Sequence, residues 1–145
     1  MRLAASGFAG NVTIETQYDP SLPLVRGVRE SLIQAFINLV KNAVESVASI
    51  AGPQVIITTR YLIGEHMQRP DGSKLHLMVS VSDNGPGVAA AQVPRLFTPF
   101  HSTKEHGSGL GLAIVAKIVE EHGGLIAYDA PTGGGARFSI YLPVA

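Results

Sequence analysis

Three short stretches of this 145-residue sequence put chemically useful residue types at suggestive spacing. The first is HSTKEHGSGLGLAIV, where Gly107, Gly109 and Gly111 come just before a run that reads as helix. Glycine is a poor helix former, but it lets another group approach the backbone closely. A helix N-terminus offers unpaired N–H groups and a partial positive charge, so this loop suits a phosphate, with Lys104 close by. A hinge that merely enters a helix fits the stretch equally well. No lysine follows the last glycine, which excludes a Walker A loop, and no strand directly precedes the loop, as a dinucleotide fingerprint requires.

The second stretch is SDNGPGV, at the end of the strongest strand in the sequence. Asp83 sits at the strand terminus, and Gly85, Pro86 and Gly87 turn the chain sharply. A carboxylate there can accept a hydrogen bond from an exocyclic amine deep in a pocket; an ordinary Asx turn is the plainer reading. The third is QAFINLVKNAVES, which carries Asn38, Asn42 and Glu45 on one face of a helix, offset from its apolar stripe. Asparagine favours caps and turns over helix interiors. An amide oxygen can ligate Mg²⁺, although a solvated polar face with Ser31, Gln34 and Lys41 explains the pattern too.

The elements that must position these residues can be read from periodicity. NVTIETQY alternates as a strand, and LVRG reads as a short second one. Val28, Leu32, Phe36, Leu39, Ala43 and Val47 form one apolar stripe, which predicts a helix over about 28–50. VIITTRYL and LHLMVSVSD form a hairpin around the polar loop GEHMQRPDGSK. A long connection follows, from Asn84 to about Ser108, with at most a short helix near 89–97; connections of this length usually act as lids or binding loops. A second helix is expected from Leu110 to Glu121, stopped by His122-Gly123-Gly124, before two closing strands, LIAYDA and ARFSIYLP. Two helices cover one face of such a sheet. The expected fold is therefore a two-layer α/β sandwich with mixed strand pairing and helices on one face, without the strict alternation of a doubly wound sheet.

Bulk properties narrow the function classes. The chain is 46% apolar and 15% charged, which fits one globular domain over residues 1–145. Its 11 basic and 11 acidic residues balance, which argues against a nucleic-acid or anionic-membrane partner. It has no cysteine, so neither disulfides nor thiolate metal sites are available. No apolar run approaches the roughly 18–20 residues that span a bilayer, and a cytoplasmic location is expected.

Together and in this order, the stretches resemble the catalytic ATP-binding domain of bacterial sensor histidine kinases, in the gyrase, Hsp90, histidine kinase and MutL superfamily. NLVKNA is similar to the N box, SDNGPGV to the G1 box, LFTPFHSTK to the F box, GSGLGLAIV to the G2 box and GGGARFSIYLP to the closing glycine segment. The resemblance runs from about Asn11 to Pro143, and several segments further resemble the nitrogen-regulation subfamily. It implies a Bergerat-type ATP-binding fold, with ATP and Mg²⁺ as cofactors. Asn42 would bind the metal, with Asn38 lining the same face. Asp83 would accept the adenine amino hydrogen bond, while Gly85 and Gly87 shape the base pocket. Phe97 and Phe100 would anchor the lid, and Lys104 or Arg95 would reach the phosphates. Gly107, Gly109 and Gly111 would let the lid close, with the backbone at Leu110 and Leu112 near the triphosphate.

The implied activity is transfer of the γ-phosphate to a histidine on a dimerisation and phosphoacceptor domain, and then to a response regulator receiver domain. Four positions depart from the family pattern. Asn38 stands where the ATP-hydrolysing branches carry a general-base glutamate, so autonomous hydrolysis is disfavoured. Glu45 and Ser46 replace a frequent Lys and aromatic, and Ala136 replaces a frequent threonine. None of His66, His76, His101, His106 and His122 has the context of a phosphoacceptor. The chain is therefore expected to be a fragment, monomeric in isolation, that binds nucleotide without autophosphorylating. A serine kinase acting as an anti-sigma factor and a non-catalytic ATP-sensing interaction module are the alternatives.

Overall fold

The computed structural model describes residues 2–4, 11–98 and 111–145. Its strands are β1 (Arg2–Ala4), β2 (Thr13–Gln17), β3 (Gln54–Tyr61), β4 (Met67–Gln68), β5 (Lys74–Leu75), β6 (Leu77–Asp83), β7 (Leu125–Asp129) and β8 (Ala136–Leu142). The helices are α1 (Arg29–Ser46) and α2 (Gly111–Glu121), with a 3-10 turn at Val93–Arg95 in the long connection. One six-stranded sheet runs β1-β2-β3-β6-β8-β7. The β2–β3 pair is parallel and the other neighbours are antiparallel, which gives the expected mixed pairing.

Side-chain alternation explains why both helices lie on one face. Val55, Leu77, Val81, Phe138, Ile140 and Leu142 point to the same side of the sheet and are almost fully buried. They meet Ala35, Leu39, Ala43 and Val44 of α1 and Val115, Ile118 and Val119 of α2 in one apolar core. On the other face small hydroxyl residues face one another: Ser80 pairs with Thr58 on one side and Ser139 on the other.

α2 ends in a Schellman motif. Gly123 adopts φ +73°, its N–H donates to the Glu120 carbonyl, and the Gly124 N–H donates to the Val119 carbonyl. The sequence anticipates that stop. It also anticipates α1, although the helix proper closes at Ser46 and residues 47–49 form a turn, with a bend at Ile50.

Two local expectations are corrected. LVRG is not a strand; residues 20–28 form an irregular strap, and Leu24 is 85% exposed. Pro23 has no N–H to give a ladder. Asp19 also takes over the local pairing: its carboxylate accepts the Ser21 N–H and hydroxyl and the Tyr61 N–H, while its own N–H donates to Thr59 Oγ1. The polar loop of the hairpin is in turn not irregular throughout. It holds the β4–β5 ribbon, turned at Gly72 (φ +90°) and braced by Asp71, whose carboxylate accepts from the Ser73 N–H and hydroxyl. The strand β1, which pairs with β2 from Arg2↔Glu15 to Ala4↔Thr13, had no sequence signal because its pairing partner supplies the order.

Candidate functional site

The site is built where the end of β6 meets the end of α1. Asp83, the last residue of β6, is 6% exposed and lies opposite Val55 of β3 and Ala136 of β8. Its Oδ1 accepts the Gly85 N–H at 2.9 Å, so the plain Asx-turn reading and the buried-carboxylate reading both hold. Asn84 points the other way. Its side-chain oxygen accepts the Gln54 N–H at 2.8 Å and its amide donates to the Gly52 carbonyl at 2.9 Å, which ties the turn to the start of β3.

Glycines make this corner possible. A Cβ on Gly135 (φ +93°) would overlap the Asp83 carbonyl oxygen, and one on Gly87 (φ +77°) would stand 2.9 Å from the Gly135 carbonyl oxygen. A Cβ on Gly85 would lie 2.8 Å from the Ser46 carbonyl oxygen and 3.0 Å from Asp83 Oδ1. The backbone of residues 83–87, of Gly135 and of Ser46 therefore comes together at this corner in gaps too narrow for a Cβ. Gly85 and Gly87 were legible as a cluster. Gly135 and Ser46 were not assigned to the corner, because their partners lie far off in sequence; the run Gly133-Gly134-Gly135 was the available signal.

The contact between Ser46 and Gly85 also orients α1. Asn38, Asn42 and Ser46 recur every four residues, so they share one face, and all three are half-buried. That face turns toward the Asp83 corner. An amide oxygen there has the right chemistry for a hard divalent cation. Among the described residues no group of three His, Cys, Asp or Glu side chains could hold a metal by itself. Mg²⁺ commonly takes one or two protein oxygens and completes its shell with phosphates and water, so a single amide ligand fits it.

Phe97 follows the 3-10 turn and packs edge-on against Phe138, with ring centroids 6.2 Å apart. Phe138 also meets Tyr128 at 5.4 Å, and the Tyr128 hydroxyl accepts the Val88 N–H at 3.4 Å. This aromatic group holds both ends of the described connection against the sheet. Arg95 is exposed at the end of the 3-10 turn. Gly111 opens α2 in open space, and Leu112 packs partly against the core. Phe100, Lys104, Gly107, Gly109 and Leu110 lie outside the described residues.

Comparison with known proteins agrees with this architecture. Residues 27–145 match the family described as histidine kinase-, DNA gyrase B- and HSP90-like ATPase. The chain is 46% identical to the sensory histidine kinase/phosphatase NtrB of Rhizobium leguminosarum bv. phaseoli and 49% identical to that of Azospirillum brasilense, over 99% of its own length in both cases. It covers 38% and 36% of those two proteins. Among solved structures, the catalytic domain of histidine kinase ThkA aligns at TM-score 0.72 and 31% identity, over 91% of this chain and 78% of that one. The mycobacterial sensor histidine kinase MprB aligns at TM-score 0.70 and 29% identity, over 91% and 81%. A sheet with its helices on one face, a buried aspartate in a glycine corner and these matches agree: the chain belongs to the histidine kinase-, DNA gyrase B- and HSP90-like ATPase family.

Proposed function

We propose that this chain binds ATP with Mg²⁺ and presents the γ-phosphate to a histidine on a dimerisation and phosphoacceptor domain, in nitrogen-regulation signalling. The observation that carries this reading is Asp83, a carboxylate buried at a strand end in a corner walled by glycine backbone. In this reading the Asp83 carboxylate accepts a hydrogen bond from the adenine amino group. A buried acceptor of this kind discriminates strongly against a base that lacks the donor.

The Asn42 amide oxygen contributes one ligand to Mg²⁺, and Asn38 lines the same wall. When bound, the metal would supply positive charge that offsets the charge of the phosphates. The start of α2, at Gly111 and Leu112, turns backbone N–H groups toward the phosphates, with Gly107, Gly109 and Leu110 completing the loop. Phe97 and Phe100 seat the lid, and Lys104 or Arg95 adds positive charge. The acceptor is an imidazole nitrogen of the second domain: the bond from the γ-phosphorus to the bridging oxygen breaks as the N–P bond forms, and ADP leaves. A response regulator receiver domain then takes the phosphoryl group. The domain in isolation is proposed to be a monomer, located in the cytosol; among the described residues no helix is long and apolar enough to cross a membrane.

Calorimetric titration with ATP and ADP, with and without Mg²⁺, tests the pocket. Wild type is expected to bind ATP, and Asn42→Ala to lose the Mg²⁺ dependence. Adding a histidine phosphoacceptor domain and labelled ATP tests the transfer. A folded wild-type domain that binds no nucleotide would sink the proposal, and stable labelling of this chain alone would contradict the missing acceptor.

A further inference from the structure

At the end of the helix pair away from the Asp83 corner, one side chain bridges α1 and α2. His122 follows the last residue of α2, and its Nδ1 lies 2.7 Å from the Ile118 carbonyl oxygen. Its Nε2 lies 3.0 Å from the backbone nitrogen of Val28, the N-cap of α1, which has no side-chain cap of its own. A carbonyl can only accept and a backbone N–H can only donate. The ring must therefore carry its single proton on Nδ1 and leave Nε2 bare. Gly27 makes room for it: a Cβ there would stand 2.5 Å from His122 Cδ2 and 2.9 Å from Nε2.

We infer that His122 is a positioning residue for the nucleotide cleft, pinning the start of α1 to the end of α2 through a neutral, Nδ1-protonated imidazole. The inference rests on the nucleotide-binding reading above. Asn42 lies 14 residues beyond Val28, about 21 Å along the helix at 1.5 Å per residue. At that lever arm a tilt of about 3° at the pin moves the amide by about 1 Å, enough to spoil a positioned contact. Gly111 stands at the opposite end of α2 from His122, so both cleft-bearing ends are held by the same pin. The Schellman bonds already stop α2 without the ring, which leaves the Val28 bond as what the imidazole adds.

Three variants and one spectrum test it. Long-range ¹⁵N NMR of the wild-type chain should show the His122 proton on Nδ1; a proton on Nε2 would overturn the pin. His122→Gln can donate to Ile118 and accept from Val28, so it should keep ATP–Mg²⁺ affinity within about twofold and keep the Val28 amide protected from exchange. His122→Phe fills the space without either bond and should weaken affinity by about fivefold or more, with Val28 exchanging freely. Should His122→Phe fail to fold, Gly27→Ala, whose Cβ displaces the ring, should give the same loss. Normal wild-type binding with a folded His122→Phe or Gly27→Ala equally tight overturns the positioning role alone. A wild-type chain that binds no ATP overturns the nucleotide reading and the positioning role together, while the ring tautomer still decides the pin.

Discussion

The two ends of the α1–α2 pair are held by opposite means. At the cleft end, space is made by leaving side chains out: Gly85, Gly87 and Gly135 let three backbone segments crowd around Asp83. At the pinned end, space is filled by one imidazole set between Gly27, Val28 and Ile118. Backbone crowding gives a rigid wall that a ligand can lie against, whereas a side-chain pin fixes an angle. The contrast teaches that similar glycines serve different purposes, and only the neighbouring atoms tell which.

The largest expected effect breaks the cleft end. Gly135→Ala places a methyl on the Asp83 carbonyl at a backbone angle that alanine resists, and should cost on the order of 3–5 kcal/mol in urea unfolding. Gly134→Ala shares the positive φ but meets open space, so about 1–2 kcal/mol is expected. Equal losses at the two positions would show that conformation, and not crowding, governs this corner.

Asp83→Ala comes next. It should lower ATP affinity by roughly 30- to 100-fold, the scale for removing a buried charged acceptor, and calorimetry reads it directly. Binding within threefold of wild type would remove Asp83 from the site.

A smaller effect sharpens the pinned side, where Asp19 anchors the strap that leads into Val28. Hydrogen bonds from the Ser21 hydroxyl and from the Tyr61 and Ser21 N–H groups hold its carboxyl below the usual 3.8. The folded chain therefore binds this proton less readily than the unfolded chain. The stabilisation is full above about pH 3.8 and is lost as the pH falls through the lowered folded value. Asp19→Asn should lower the melting temperature modestly at pH 6, and the gap to wild type should close in acid. A gap that stays constant with pH would mean that the charge plays no part.

Tyr128→Phe should do least. The hydroxyl accepts from Val88 at a long 3.4 Å, and its loss should cost under about 1 kcal/mol while the ring contact with Phe138 survives.

Much of this was legible because the signals are local. The stripe of α1, the alternation of the long strands and the Gly123 stop each need only neighbours in sequence. The strap failed as a strand because Asp19 satisfies backbone groups of Tyr61 and Ser21 with its side chain, a choice that periodicity does not register. The lone histidine before Gly123 read only as a helix stop, since Val28 lies 94 residues away.

The sequence by itself determined both helices, the long strands, the two-layer arrangement and the order of the nucleotide-type stretches, because burial patterns and turn residues are written in consecutive positions. Tertiary structure alone decided that Gly135 crosses Asp83, that Ser46 turns the asparagine face toward that corner, and that His122 reaches Val28. Those contacts join segments distant in the chain, and their energies come from close approach and hydrogen-bond geometry, which exist only once the sheet and both helices are packed.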